Sequence, residues 1–523
     1  MSIRLASIGL SAAIGCALIA SEAVSHGAAT SRRTVASRNR APRYPDAVTR
    51  PPLWLIENAP FDVRVYLQSL PPSENAAPLY LEALFEFNSS LAVCFTDSQV
   101  LRRRRAAIDR RRDRLSNVHE AWAEGRTRSD GDVDAMLAEY TPALRKLRAA
   151  QQRSRCCFEV GLALDSTQQH GSMISTTVNL FLEMVTSRAV DKGNLDQAVE
   201  MIEIALRLSR DLRGRGNLLT QMQSMRLDSL IARKMVPRVL QASGMRVLHY
   251  DRMLRAIDLH MTRTLDPLTE LARVDYLIAR TTLHDLRYRT GPFAAKSQLA
   301  GPTLCEWLFG YRDDDRFYPP AAIARFVDFQ LLAGRRADDE REVATLADYY
   351  RALLALPRDP DDRVPKVVEA FDHVPGKQLD EFLSKHENWV GVSVDQMPPE
   401  GKRAFMEYPL ARVIIAGQHP WHRRTAEMDR LNIERWRALR RIVERSKSGE
   451  SFVSAVSDLL SDPDLLARFI AANLLAEVAP QTPGIVPILK EVLARETGLI
   501  RSNALGILRR IAPGEVPEAD LAK

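Results

Sequence analysis

The 523-residue chain lacks a Cys-x-x-Cys pair, a His-Glu-x-x-His helix and a Gly-Lys-Ser/Thr phosphate loop. The first absence removes the common zinc, thiol-redox and haem-attachment arrangements. The other two remove the zinc metallopeptidase helix and the nucleotide-binding loop. Gly391-Val-Ser393-Val-Asp395 has no second glycine for a nucleophile elbow, and Gly214-Arg-Gly216 has no third glycine for a dinucleotide turn. Beyond residue 20 no apolar run is long enough to span a bilayer. Runs of alternating β-branched residues are nearly missing as well, which argues against a sheet. No catalytic, cofactor-binding or metal-ligating residue is assigned on this basis.

What is present is ordinary globular composition, 46% hydrophobic and 27% charged. Lys and Arg outnumber Asp and Glu by 73 to 66, a net charge of +7, and the two signs are interleaved along the chain. A dedicated nucleic-acid binder concentrates its positive charge on one face, so no nucleic-acid partner is expected.

The first 28 residues read as a bacterial signal peptide or N-terminal anchor: Arg4, an apolar run from Leu5 to Ala20, then small residues at Ser21 to Ala23 and Ser25 to Gly27. Arg32, Arg33, Arg38 and Arg40 follow closely, and positive flanks tend to stay inside, which keeps a retained anchor open. Cys16, after Ala12-Ala13-Ile14-Gly15, resembles a lipobox cysteine, although the apolar run continues past it to Ala20. The expected location is outside the cytoplasm, periplasmic or membrane-attached. Cys94, Cys156, Cys157 and Cys305 then form an even set that an oxidising compartment permits to pair.

Residues 29–60, rich in Pro, Arg and Ser, read as a tether that Trp54 docks onto the body. Helical periodicity follows over 61–290, then a helical region with long loops over 291–447, then a module at 448–523. The spacing predicts helices over 76–95, 97–123, 131–155, 172–191, 195–212, 217–235, 249–263, 267–289, 320–333, 338–356 and 422–447. The stretches 290–320 and 357–400 read as irregular. The expected fold class is all-α, an irregular α-solenoid-like array of helical hairpins with a small C-terminal module.

Two segments resemble repeat families. Gly193 to Ala198, followed by Ile202, Ala205 and Leu206, resembles the second helix of a tetratricopeptide hairpin. Leu195, Ala198, Val199, Ile202, Ala205 and Leu206 form its main apolar stripe, widened by Met201, Ile204 and Leu208 as for a helix covered on two sides. Near the C-terminus Arg468, Ala471, Leu475 and Ala479-Pro480 recur as Arg501, Ala504, Leu508 and Ala512-Pro513. This echo is similar to HEAT repeats over 449–515, with Asp462-Pro463 as a helix start. The resemblance implies stacked hairpins offering a concave binding surface.

Arg102 to Arg105, Arg110 to Arg112 and Arg114 crowd one helix, which reads as a solvated face compensated by Asp109, Asp113 and Glu120. Arg468 and Arg501 read as ties to loop carbonyls or acids of a neighbouring hairpin. His419-Pro420-Trp421-His422, with Glu427 as a third group, is a weak metal cluster and reads better as a turn burying Trp421. Tyr349, Tyr350, Trp389, Phe405, Tyr408 and Trp421 make an aromatic concentration that lines either a peptide groove or the core. The leading binding candidates are thus Tyr349, Tyr350, Trp389, His419, Trp421 and His422, with Cys16 as a lipidation candidate. The functional expectation is a noncatalytic protein-binding scaffold in the cell envelope. Its rival is a His- or metal-dependent enzyme with a site in the 290–420 loops, drawing on His373, His386, His419 and His422.

Overall fold

Apolar residues at helical spacing with short polar breaks leave this chain few options other than helix on helix. A computed structural model bears this out. It describes residues 50–88, 98–124, 130–160, 176–288, 340–372, 381–382, 385, 396, 398–407, 410–517 and 520. Every regular element among them is helical, apart from one isolated bridge between Asn75 and Arg155. The protein is all-α.

Two short helices, α1 (Leu53–Ile56) and α2 (Val63–Leu67), open the described chain. The first interrupts the expected tether. Its Trp54 stacks on His284 with ring centroids 3.8 Å apart, beneath the Arg280 guanidinium, so the docking role holds. After α3 (Ala77–Phe85) and α4 (Ser98–Ala123), the helix expected over 131–155 is instead two, α5 (Asp130–Ala138) and α6 (Thr141–Gln151). Pro142, in the first turn of α6, explains the break, since it has no N–H to continue an earlier helix.

The next helices, α7 (Thr176–Asp191) and α8 (Leu195–Arg213), form a hairpin. It closes at Gly193, whose φ of +69° suits glycine, and Asn194 caps α8 by accepting from the Gln197 N–H. The whole predicted stripe of α8 is buried, Met201, Ile204 and Leu208 included. The reason is that α8 packs on α7, on α9 (Leu218–Leu230) and on α11 (Val247–Arg263) at once.

No break follows α9. A π turn (Ile231–Met235) leads directly into α10 (Val236–Leu240), and the Val236 N–H reaches back five residues to the Ile231 carbonyl. This wider turn lets Pro237 lie within the helical path rather than end it.

Next come α12 (Pro267–Tyr288), α13 (Glu340–Leu354) and α14 (Pro360–Asp372), the last inside the stretch expected to be irregular. Pro360 occupies its first position, where a missing N–H costs nothing. After α15 (Pro399–Glu407) comes the organising element, α16 (Leu410–Lys447), 38 residues and therefore ~57 Å long. The sequence placed its start near 422, but it begins at Leu410 and carries Pro420 in its interior. It packs on α9, α11, α12, α13 and α14, and on the C-terminal helices α17 (Phe452–Ser457), α18 (Leu465–Val478) and α20 (Gly498–Ile511).

Between α18 and α20 lies α19 (Ile485–Arg495), packed on both. The cap of α18 is Asp464, not Asp462: Asp464 accepts from the Leu466 N–H, while Asp462 accepts from the Asp464 N–H. The main apolar core joins buried side chains of residues 76–257 to those of residues 431–516, and Leu268, Val367 and Ala426 form a separate cluster.

Candidate functional site

The sequence candidates converge on the N-terminal half of α16. His419 and His422 lie three residues apart in a continuous helix and so share one side of it, contrary to the expected turn. Both are buried, as are Tyr349 and Tyr350 on α13, while Trp421 is only half-buried. The two tyrosines therefore belong to the core and line no open groove. Trp389, Tyr408, His373, His386, Cys16, Cys94 and Cys305 lie outside the described residues.

Together these side chains form a hydrogen-bonded file across three helices. The Tyr349 hydroxyl lies 3.2 Å from His419 Nδ1 and 2.9 Å from His422 Nδ1, and His422 Nε2 lies 3.1 Å from Asp275 Oδ2 on α12. The file closes if His422 donates from Nε2 to Asp275 and accepts the Tyr349 proton at Nδ1, with His419 donating to the phenolic oxygen. Tyr350 donates to Gln418 alongside. Burial, reinforced by the charge of Arg423, pulls His419 down to about 2, so it stays neutral. Burial also pushes the Tyr349 hydroxyl well above its usual value, with Asp275 adding to the effect. A phenol held protonated between two imidazoles is a structural tie rather than a nucleophile. Glu427, the third group considered for a metal, instead accepts from Arg423 and from the Leu499 N–H. Among the described residues no group of His, Cys, Asp and Glu is disposed to hold a metal ion.

A second polar cluster lies deeper along α16, and sequence reasoning missed it. Asp228 on α9 accepts from Arg213 and Ser209 of α8 and lies 3.4 Å from His260 Nε2 on α11. Asp429 on α16 is 3.7 Å from Arg213 and 3.7 Å from Arg363 of α14, and Arg363 in turn grips Asp266 at the start of α12. The five charged or ionisable partners besides Asp266 are buried, and the Asp266 side chain is 6% exposed. Burial would raise Asp228, but His260 and Arg213 more than offset it and hold it far below the carboxylate range. At Asp429 burial wins over Arg213, with Asp266 acting in the same direction, and the carboxyl is pushed up to about 6. One signal was available: Gln221, Ser224 and Asp228 repeat at helical spacing along α9, a polar stripe that the fold turns inward.

The arginine-rich α4 is knitted to acids of its own neighbourhood. Arg104 and Arg111 both reach Glu86, Arg114 pairs with Glu139, and the Arg111 guanidinium sits over the Tyr140 ring. In the C-terminal module Arg468 donates to the Asp462 carbonyl and to Glu491, and Arg501 donates to the Leu493 carbonyl and to Asp520. Both therefore serve as structural ties. Cys156 and Cys157 are free thiols, half-buried.

Two surface features remain. A cleft of about 330 Å³ opens between α14, α16 and the start of α18, lined by Val364, Pro365, Arg430, Glu434, Asp464 and Leu466. On α11, Val247, Leu248, Leu259 and Met261 are exposed, with Leu265 just beyond the helix. No helix among the described residues is long and apolar enough to cross a membrane. No protein-family model matches the chain, and comparisons with curated proteins and with solved structures give no match either.

Proposed function

We propose that the chain is a noncatalytic helical scaffold that holds a protein partner, working outside the cytoplasm in the cell envelope. The observation that carries this reading is the outer face of α11. Asp251 and Asp258 fasten one flank of that helix to Lys447 and Arg440 of α16, while Arg252 fastens the other to Glu203 of α8. Between these ties Leu248, Arg255 and Leu259 recur at i, i+7 and i+11, a single line of side chains pointing away from the body. Apolar side chains flanking an arginine on a firmly held helix are the composition of a protein-binding centre. The polar clusters along α16 favour the same reading, since their side chains are taken up in joining helices.

The test places a photo-crosslinking residue at position 248 of the full chain in the producing cell. A discrete crosslinked protein is expected, lost when Leu259→Asp is added and not seen with the probe at Val453, an exposed residue on α17. Equal crosslinking from both positions, or none from position 248, overturns the proposal. Labelling of the same chain by a membrane-impermeant reagent in intact cells tests the envelope location.

The enzyme alternative draws its support from the Asp275–His422–Tyr349 file. It requires a path from solvent to Tyr349, a side chain buried to 1% exposure.

A further inference from the structure

The outer face of α11 carries a charge as well as an apolar line. Both acids of the helix are taken by α16, Asp251 by Lys447 at 2.7 Å and Asp258 by Arg440 at 2.6 Å. The neighbouring acids of α8 are taken too: Glu203 pairs with Arg252, and Asp196 with Arg246 and Arg252. Arg255 and Arg263 are exposed and have no carboxylate within ion-pair distance among the described residues. Arg263 follows Leu259 by four residues, so it prolongs the same side of the helix by one turn. Leu248, Arg255, Leu259 and Arg263 thus alternate apolar and positive along roughly 22 Å of helix.

This pattern states what covers it. Two unpaired arginines present a positive potential that a negative surface complements, and their forked guanidinium groups match carboxylates. Leu248 and Leu259, 52% and 38% exposed, add apolar contact beside them. A lipid surface is a poorer match, because an interfacial helix sinks a broad apolar face into the acyl boundary. In α11 the broad apolar side, with Met253 and Ile257, is turned into the core. An extended peptide is a poor match as well, since it adds to the edge of a sheet and every regular element among the described residues is helical. A single row of side chains three turns long, from Leu248 to Leu259, suits another helix laid alongside.

We propose that this face of α11 binds an acidic amphipathic helix of a partner protein. Carboxylates of that helix meet Arg255 and Arg263, and its apolar side chains cover Leu248 and Leu259. The proposal rests on the scaffold function above and adds the chemistry of the partner.

The experiment is fluorescence anisotropy of the full chain with two labelled helical peptides of about 18 residues, long enough to match the row. Both carry leucine at the same positions, and the remaining positions are mainly Glu in one and mainly Lys in the other. Saturable binding of the Glu peptide is expected, about tenfold or more tighter than that of the Lys peptide. Arg255→Glu combined with Arg263→Glu, both at exposed positions, is expected to leave the fold intact and to reverse the preference. Equal binding of the two peptides overturns the proposal, and so does a preference that survives the double change. Binding to phosphatidylglycerol vesicles that is lost in the double variant, with no binding of the Glu peptide, overturns it in favour of lipid. Crosslinking from position 248 separates the proposal from the function beneath it. An adduct that persists in the double variant leaves the scaffold standing and removes its acidic partner, whereas the absence of any adduct removes the scaffold itself.

Discussion

Arg213 and Asp228 form an ion pair between α8 and α9 with side chains 3% and 0% exposed. Removing one member leaves the other charge buried, at a cost of ~3–5 kcal/mol. Asp228→Ala is therefore expected to shift the urea midpoint far down. Arg213→Leu combined with Asp228→Leu is expected to lose less than the sum of the two single changes, because neither member of the pair is left buried without the other.

The pH dependence of stability separates Asp429 from His419. Asp429 in the folded chain, at about 6, lies above its unfolded value, so the folded state holds more protons between about 4 and 6. Its contribution to stability therefore falls as pH rises through that window, by roughly 3 kcal/mol in total. Asp429→Asn is expected to gain on the wild type across it.

His419 acts in the opposite sense. Its folded value of about 2 lies below the unfolded one. Its contribution is complete above the unfolded value, about 6.5, and declines as pH falls below it. His419→Asn is expected to reduce that acid-side decline. Thermal melts of both variants and the wild type between about pH 4 and 7 read the two opposite differences.

Cys156 is expected to resist alkylation in the native state. Burial raises its thiol well above the usual value, and Asp211 adds to this, so little thiolate forms. Mass spectrometry after iodoacetamide treatment is expected to show Cys156 modified far more slowly in the folded chain than in urea. Equal rates would contradict the packing around residues 155–158.

Arg468→Ala is expected to destabilise by ~1–3 kcal/mol, since its guanidinium reaches both the Asp462 carbonyl and Glu491. Hydrogen exchange offers the sharper measurement: loss of protection should concentrate in α18 and α19.

Helical content, most helix ends and the double-sided burial of α8 were legible because they rest on local rules, namely apolar spacing, Gly193 and Asn194. The C-terminal arginine ties were legible from their repetition. Two kinds of feature were not. Pro237, Pro365 and Pro420 each signal a break, yet each lies within a helical path whose neighbours hold it in place. The polar clusters were hidden because their partners are remote: Asp275 meets His422 at a separation of 147 residues, and Arg363 meets Asp266 at 97. Nothing near Asp429 in the chain distinguishes it from Glu427, which is less buried.

The reach of α16 bears on how the molecule comes apart. One rod touches helices from residue 218 to residue 511, so these helices are expected to melt together. A single calorimetric transition for the helices it joins is the expected outcome, in place of the stepwise fraying of a row of nearest-neighbour units.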